Sequence, residues 1–218
     1  ADLSGANLSQ ADLTGAVIEE SQLRLALLCN TTLPDGTKTK CDLSEADLRG
    51  ADLRSTEFPP ANLYGSDLAG ASLMDAILEK ADLAGANLMW LNLTEANLSG
   101  ADLHGANLGG ANLSRADLSG ANLRRTNLDR TILINANITG AIIEKENLGM
   151  AFLCYTKVID GTKSRCDLSG ANLTGVNLTW ATLNGADLSG ADLTGADLSG
   201  AHLVGADLTG VRLTGADL

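Results

Sequence analysis

Residues Ala186–Gly200 read ADLSGADLTGADLSG, which is one five-residue unit written three times. With Ala186 as position one, position three falls on 44 residues between 3 and 218, and 42 of these are Leu, Ile, Val or Phe. The two exceptions are Lys38 and Lys163. Position two is Asp at 15 sites and Asn at 13, and position five holds 20 of the 24 glycines. A period this short and regular is typical of a solenoid.

Each unit predicts a short extended segment followed by a turn. A small apolar residue at position one and a large one at position three send their side chains to the same side. Position two is polar, and we expect its Asp or Asn to accept a hydrogen bond from the backbone N–H two residues on. Gly at position five supplies the φ freedom of a turn. The leucines stay inside only if the chain bends once per unit and closes on itself.

The tandem A(D/N)LXX pattern resembles the pentapeptide repeat family over essentially all 218 residues. The resemblance implies an all-β fold, a right-handed quadrilateral β-helix with about 20 residues per coil. Residues 1–218 would then form a single domain of about ten coils and a rod of about 50 Å at the sheet spacing. Leu-dominated arrays with Cys-flanked loops look most like cyanobacterial members of the family.

Two segments interrupt the pattern, and every residue of the second lies 125 positions after its counterpart in the first. We call Ala16–Leu43 the first interruption and Ala141–Leu168 the second interruption. Pro34-Asp35-Gly36 and Ile159-Asp160-Gly161 predict turns at the tips of two loops. We therefore expect loop insertions near 29–41 and 154–166 that re-enter the array in frame.

The four cysteines form two pairs with the same spacing, Cys29 with Cys41 and Cys154 with Cys166. Two interpretations stay open at this point. Family members with comparable loops imply a disulfide in each pair, which would indicate a periplasmic, lumenal or other oxidising compartment. Free thiols, with Cys41 and Cys166 acting as small interior residues, would instead fit the cytoplasm.

Outward positions near the loops are unusually apolar. Leu25 and Leu27 mark the first interruption, and Met150 and Phe152 mark the second. At about 20 residues per coil, Ile132 should lie directly beside Phe152. We expect each loop to fold down over such a patch.

Three places break the local rule. Glu146 occupies an inward-type position, so either the backbone swings it outward, which we favour, or it is a buried acid that needs a partner. Leu91 occupies position one, where Ala fits, and predicts a bulge or a displaced coil. Phe58-Pro59-Pro60 predicts a corner, where a missing backbone donor costs least.

Large side chains at outward positions are the candidates for a partner surface. Met89 and Trp90 are adjacent, and Trp180 lies in a later coil. Single exposed apolar residues are also normal for soluble proteins. Both interpretations stay open for these three residues.

The sequence offers no support for catalysis. His104 and His202 are isolated, and no nucleophile–base pair, phosphate loop or metal-ligand spacing is present. A Leu-filled interior would leave no cavity for a small ligand. We therefore expect no enzyme activity, no cofactor and no metal site.

Charge narrows the choice of partners. The net charge of −12 disfavours direct binding of nucleic acid or of an anionic membrane surface. No apolar run approaches the about 18 residues of a membrane span. Adding 20 to a residue number predicts acidic columns, of which Asp167, Asp187 and Asp207 form one.

These observations favour a non-catalytic structural or protein-interaction module, a rigid acidic rod with an unidentified protein partner. The array begins and stops without caps, so we expect a fragment of a larger cyanobacterial protein whose open ends could stack end to end. Heterocyst glycolipid-layer proteins look similar in carrying such an array after membrane helices, so a membrane would be reached only through flanking segments. The alternative is a DNA mimic that binds a type II topoisomerase, as gyrase-protecting members of the family do.

Overall fold

The computed structural model describes residues 3, 6–23, 26–49, 51–58, 61–69 and 71–218. Among these residues there are two one-turn helices, α1 (Glu20–Leu23) and α2 (Lys145–Leu148). They occupy equivalent places in the two interruptions. The remaining regular pairing in the described residues consists of isolated bridges, because the pentad turns before a longer strand can form.

Residues at position two pair in parallel with the residue 20 positions later, as Asn62 does with Asp82. The two backbone hydrogen bonds of this bridge run from Leu63 N to Asp82 O (2.7 Å) and from Asp82 N to Ala61 O (2.9 Å). A coil therefore takes four pentads, as expected from the sequence.

The side chains at positions one and three fill the interior of each coil. Ala81, Leu83, Ala86 and Leu88 are all fully buried. Burying a leucine stabilises the fold by about 1.5–3 kcal/mol. At four sites where Thr replaces Ala at position one, the hydroxyl donates to a backbone carbonyl of the preceding coil, as Thr126 Oγ1 does to Leu103 O at 2.8 Å.

The polar residue at position two pins the turn, which confirms the expectation from the sequence. Asp187 Oδ1 accepts hydrogen bonds from Ser189 N (2.9 Å) and Ser189 Oγ (2.6 Å). Position five then adopts a positive φ, 70° at Gly190. The same left-handed conformation occurs at residues other than Gly, including Trp90 at 58° and Trp180 at 59°.

The ladder of 20-residue bridges forms three stacks. The N-terminal stack (6–33) contains the bridges of Asn7 with Leu27 and of Asp12 with Thr32. The main stack (41–158) and the C-terminal stack (166–218) contain the others. Among the described residues, no parallel bridge joins one stack to the next. The unbroken repeat frame predicts one continuous rod. The ladder of parallel bridges instead breaks at the first and at the second interruption.

A hairpin reverses the chain at each interruption. Thr32 pairs antiparallel with Lys38, and Lys157 pairs antiparallel with Lys163. In the second hairpin, Val158 N donates to Thr162 O at 2.8 Å. Each return strand covers one edge of the last coil of a stack, and the next stack starts in a new direction.

Two local expectations have different outcomes. Glu146 is exposed on α2, so the backbone swings it outward as favoured above. The bulge expected at Leu91 is wrong: Asn92 keeps its bridges to Ser72 and Asn112, and Leu91 is buried. The residues 20 positions before and after Leu91 are alanines, which leave room for its side chain. Leu25, Pro59 and Pro60 lie outside the described residues.

Candidate interaction surface at the junction of two stacks

The C-terminal stack packs against one side of the main stack. Ile132 and Ile134, at positions two and four, are 0% and 1% exposed and belong to the same apolar cluster as Leu168. Phe152 packs against this cluster and bridges Ile132, as predicted. The C-terminal stack, and not the loop, covers this patch, so the expectation of a folded-down loop is wrong there. Met150 stays exposed.

Four side chains of the main stack donate to backbone carbonyls of the C-terminal stack, and one of them is Tyr155, whose Oη donates to Asn184 O. Asn112 Nδ2 donates to Asn177 O at 3.0 Å, and Arg115 Nη2 donates to Trp180 O at 2.9 Å. Arg130 Nη2 donates to Thr174 O at 2.5 Å. These carbonyls all lie in the first coil of the C-terminal stack, so polar contacts surround the apolar centre of the junction.

Trp90 lies at the border of this junction. Its ring sits so close over Gly110 that a Cβ atom there would overlap it. The guanidinium carbon of Arg130 lies 5.4 Å from the centre of the same ring. The indole is therefore held between two neighbours while 52% of the residue remains exposed. Met89, beside it in the sequence, is 37% exposed.

Trp180 has an equivalent local arrangement. Its ring lies over Gly200, and it is 64% exposed. Its carbonyl accepts the hydrogen bond from Arg115, which also pairs with Glu95 at 2.5 Å. The structure thus places both tryptophans along the junction, with their rings over different glycines. A Gly 20 residues after each Trp was the sequence signal for this packing.

The family model for pentapeptide repeats matches in eight copies, over residues 1–33, 41–79, 61–90, 71–110, 111–145, 164–200 and 186–218. The chain belongs to the pentapeptide repeat family. Members of this family are right-handed β-helices, so the coils described above belong to a right-handed β-helix. No curated protein matches the chain significantly.

Solved structures of cyanobacterial pentapeptide repeat proteins are similar in sequence. HetL of Nostoc sp. strain PCC 7120, involved in heterocyst differentiation regulation, is 38% identical; the match covers 98% of this chain and 89% of HetL, with a TM-score of 0.29. Rfr23 of Cyanothece 51142 is 34% identical over 66% of this chain and 84% of Rfr23, with a TM-score of 0.32. The protein alr5209 of Nostoc is 34% identical over 48% of this chain and 76% of its own, with a TM-score of 0.35.

The cysteines of this pentapeptide repeat protein lie in two pairs at disulfide distance. The Cα atoms are 4.1 Å apart for Cys29 and Cys41 and 4.0 Å apart for Cys154 and Cys166. All four side chains are buried. Each pair joins the last coil of one stack to the first residue of the next, so it braces the base of a hairpin.

The acidic columns of the repeat are confirmed as ladders. Asp167, Asp187 and Asp207 bridge in sequence. The hydrogen bond from the Ser169 hydroxyl lowers the pKa of Asp167. In the main stack an amide separates many of the acids, as where Asn122 Nδ2 donates to Asp102 Oδ1 at 2.9 Å. These carboxylates hold turns and ladders together.

Arginine neighbours hold two further acids strongly ionised. The hydrogen bond from the Arg49 side chain lowers the pKa of Asp47 to about 2. Arg54 lowers the pKa of Asp52 to about 2 in the same way. Both pairs are exposed, so they add little to stability.

The described residues show no cluster of three or more His, Cys, Asp or Glu side chains that could hold a metal ion. His104 and His202 stand on the outside of different stacks. In the same residues, neither helix is long and apolar enough to cross a bilayer.

Proposed function

We propose that this pentapeptide repeat protein is a non-catalytic protein-interaction module. Its right-handed β-helix, with about ten coils at four pentads each, would present the corner formed by Met89 and Trp90 to a protein partner. Residues 1–218 would act as one rigid unit. The side-by-side packing of the main and C-terminal stacks fixes where this corner points.

The exposed indole of Trp90 carries the proposal. It is held by Gly110 and Arg130 before any partner arrives. A fixed aromatic side chain loses little conformational freedom on binding, and Trp and Met are enriched in protein interfaces. Arg130 also connects this corner to the C-terminal stack through Thr174.

The remaining surface supports a binding role over a catalytic one. Leucine and alanine fill the coils, and position-two acids and position-four hydroxyls bond one another in the turns, as Asp192 and Thr194 do at 2.6 Å. These side chains therefore fill the interior or form the hydrogen bonds of the turns. Pentapeptide repeat proteins related to this chain include a regulator, HetL, and we propose that this chain likewise acts by contact with another protein.

The cysteine pairs support an oxidising compartment. Two buried pairs at disulfide distance are typical of secreted, periplasmic or lumenal proteins. Because all four side chains are buried, alkylation of the protein unfolded in denaturant without reductant tests this placement. Labelling of all four thiols would contradict it.

The interaction proposal is tested by purifying the tagged chain from its host and measuring the affinity of any stoichiometric partner. Trp90→Ala should weaken that affinity by about tenfold or more, the scale of an interface hot spot. Tyr64→Ala, which changes an exposed aromatic elsewhere on the main stack, is the matched control. The absence of a stoichiometric partner, or an equal loss with Tyr64→Ala, would count against the proposal.

One observation favours a second candidate. In the C-terminal stack, Asp167, Asp187 and Asp207 follow one another with no Asn between them, as charges do along a nucleic acid. This supports a DNA-mimicking contact with a type II topoisomerase. A gyrase supercoiling assay that is unchanged by an excess of the protein would remove this candidate.

A further inference from the structure

An open apolar groove of about 560 Å³ lies at the end of the main stack, beside the second interruption. It is lined by Leu148 and Gly149 at the end of α2, by Leu153 of the last coil, and by Val158–Asp160 of the hairpin. The volume lies within the about 300–1,000 Å³ of ligand pockets. The groove is therefore large enough to hold large apolar side chains of a second molecule.

A backbone bridge stands open beside this groove. One coil earlier, Phe152 N donates to Thr131 O at 2.8 Å and Leu133 N donates to Phe152 O at 3.0 Å, which is the bridge that joins successive coils. The equivalent groups of the last coil are Ala151 O and Leu153 N, and neither has a hydrogen-bond partner within the described residues. One residue of an incoming extended strand can therefore complete the bridge, by donating to Ala151 O and accepting from Leu153 N.

The hairpin completes the bridge on the neighbouring side of the coil. Val158 N donates to Thr162 O at 2.8 Å. Ser164 N donates to Thr156 O, also at 2.8 Å. The C-terminal stack packs against the side of the main stack and not on its end. The place of a further coil above Leu153 thus stays open, and Leu153 is only partly buried.

Among the described residues that line the groove, the only charged side chain is an acid. Asp160 Oδ1 accepts hydrogen bonds from the amide and hydroxyl of Thr162, and these bonds lower the pKa of Asp160. Lys157 and Lys163 pair across the antiparallel bridge and alternate with Val158, so they point to the other face of the hairpin. The groove therefore suits an apolar segment that carries a cation, as does the net charge of −12.

We propose that this groove binds a short extended segment of a protein partner by strand addition, with large apolar side chains in the groove and a Lys or Arg beside Asp160. The segment completes the open bridge at Ala151 and Leu153. In strand addition the main-chain hydrogen bonds supply affinity and the side-chain pockets supply specificity. This inference rests on the proposed interaction function and gives it a second contact surface with a defined peptide chemistry.

The first interruption supplies a matched control. Asp35 is the counterpart of Asp160, so both hairpin tips carry an acid. Leu23, the counterpart of Leu148, is buried, whereas Leu148 is only partly buried and lines the groove. A substitution of Asp35 thus removes an equivalent charge at a place with a different apolar lining.

The test is fluorescence anisotropy with the full chain and a labelled Ser-Arg-Val-Leu-Val-Ser peptide. Three comparators change one feature each: Gly in place of the three apolar residues, N-methylation of those three residues, and Glu in place of Arg. The Gly peptide should bind about tenfold more weakly because the apolar contact is lost. The N-methylated peptide should lose about fivefold, the scale of one hydrogen bond, and the Glu peptide about threefold, the scale of an exposed ion pair.

Two variants test the same features from the side of the protein. Ile159→Ser removes an apolar side chain from the hairpin wall without adding a charge and should weaken binding by about fivefold. Asp160→Asn should weaken binding of the Arg peptide by about threefold, while Asp35→Asn should leave it unchanged. Circular dichroism and thermal unfolding establish that each variant folds.

Equal binding of the four peptides, or an equal loss with Asp35→Asn, would overturn the proposal. Sedimentation of the chain alone adds a second check: a concentration-dependent dimer that Ile159→Ser dissolves would assign the groove to a second copy of the chain instead. The peptide assay uses purified protein, and Trp90→Ala should not change it. It can therefore fail while the proposed interface at Trp90 stands.

Discussion

The two interruptions share a framework but differ at the contact between stacks. Both contain a one-turn helix, a hairpin and a cysteine pair at a constant offset. In the first, Asn7 Nδ2 donates to Thr56 Oγ1 at 3.2 Å. The counterparts in the second are Ile132 and Ala181, which are buried in an apolar cluster. The turns and cysteines thus set the direction of each new stack, and the contacting side chains determine how it is held.

Exchanging the contact residues should have the largest effect. Ile132→Asn gives the second junction the residue of the first and removes a buried side chain. It also leaves an amide opposite Ala181 without a partner. We expect a loss of about 3–5 kcal/mol in the free energy of unfolding, measured by urea titration.

The double variant Ile132→Asn with Ala181→Thr sharpens this test. It recreates the Asn–Thr pair of the first junction, and a hydrogen bond should return about 1 kcal/mol. Ile142→Ala, at an exposed position two, is the control and should change little. A loss with Ile132→Asn no larger than that of the control would show that the stacks do not pack as described.

Removing the cysteine pairs should have the next largest effect. Each pair has a sequence separation of 12, so chain entropy predicts equal losses of about 2–4 kcal/mol for Cys29→Ser/Cys41→Ser and for Cys154→Ser/Cys166→Ser. Thermal unfolding with and without reductant measures both. Wild-type protein that unfolds identically with and without reductant would contradict the prediction, and unequal losses would show that one bridge also holds a neighbouring stack.

The repeat predicted the coil but not the change of direction. Inward leucines, turn-pinning acids such as Asp187 and the 20-residue ladder all follow from local chemistry. The three stacks do not, because a hairpin can reverse the chain while the frame stays unbroken. The signal for the junction was the pair Ile132 and Ile134, apolar at two outward positions of one pentad. Sequence spacing alone did not say which surface would cover them.

A smaller effect is expected at Tyr155, whose counterpart is Asn30. Both have positive φ, and Tyr155 Oη donates to Asn184 O at 2.6 Å across the second junction. Tyr155→Phe should cost about 0.5–1.5 kcal/mol by removing this hydrogen bond. Urea titration measures the loss, and Tyr64→Phe is the control on the main stack. An unchanged midpoint for Tyr155→Phe would show that the hydrogen bond contributes nothing to the junction.

The smallest effect concerns the hairpin tips, where the two interruptions should behave alike. The Thr37 hydroxyl and amide lower the pKa of Asp35, and the Thr162 amide and hydroxyl lower the pKa of Asp160. A lowered pKa in the folded state means that the stabilisation is present above the unfolded carboxyl pKa of about 4 and is lost as the pH falls through the folded value. Asp35→Asn and Asp160→Asn keep an acceptor for the turn but do not titrate, so each should flatten the acid side of the stability profile slightly and by a similar amount. Urea midpoints between neutral and acidic pH measure this slope. A steeper change for one tip than for the other would show that its carboxylate has a partner beyond its own turn.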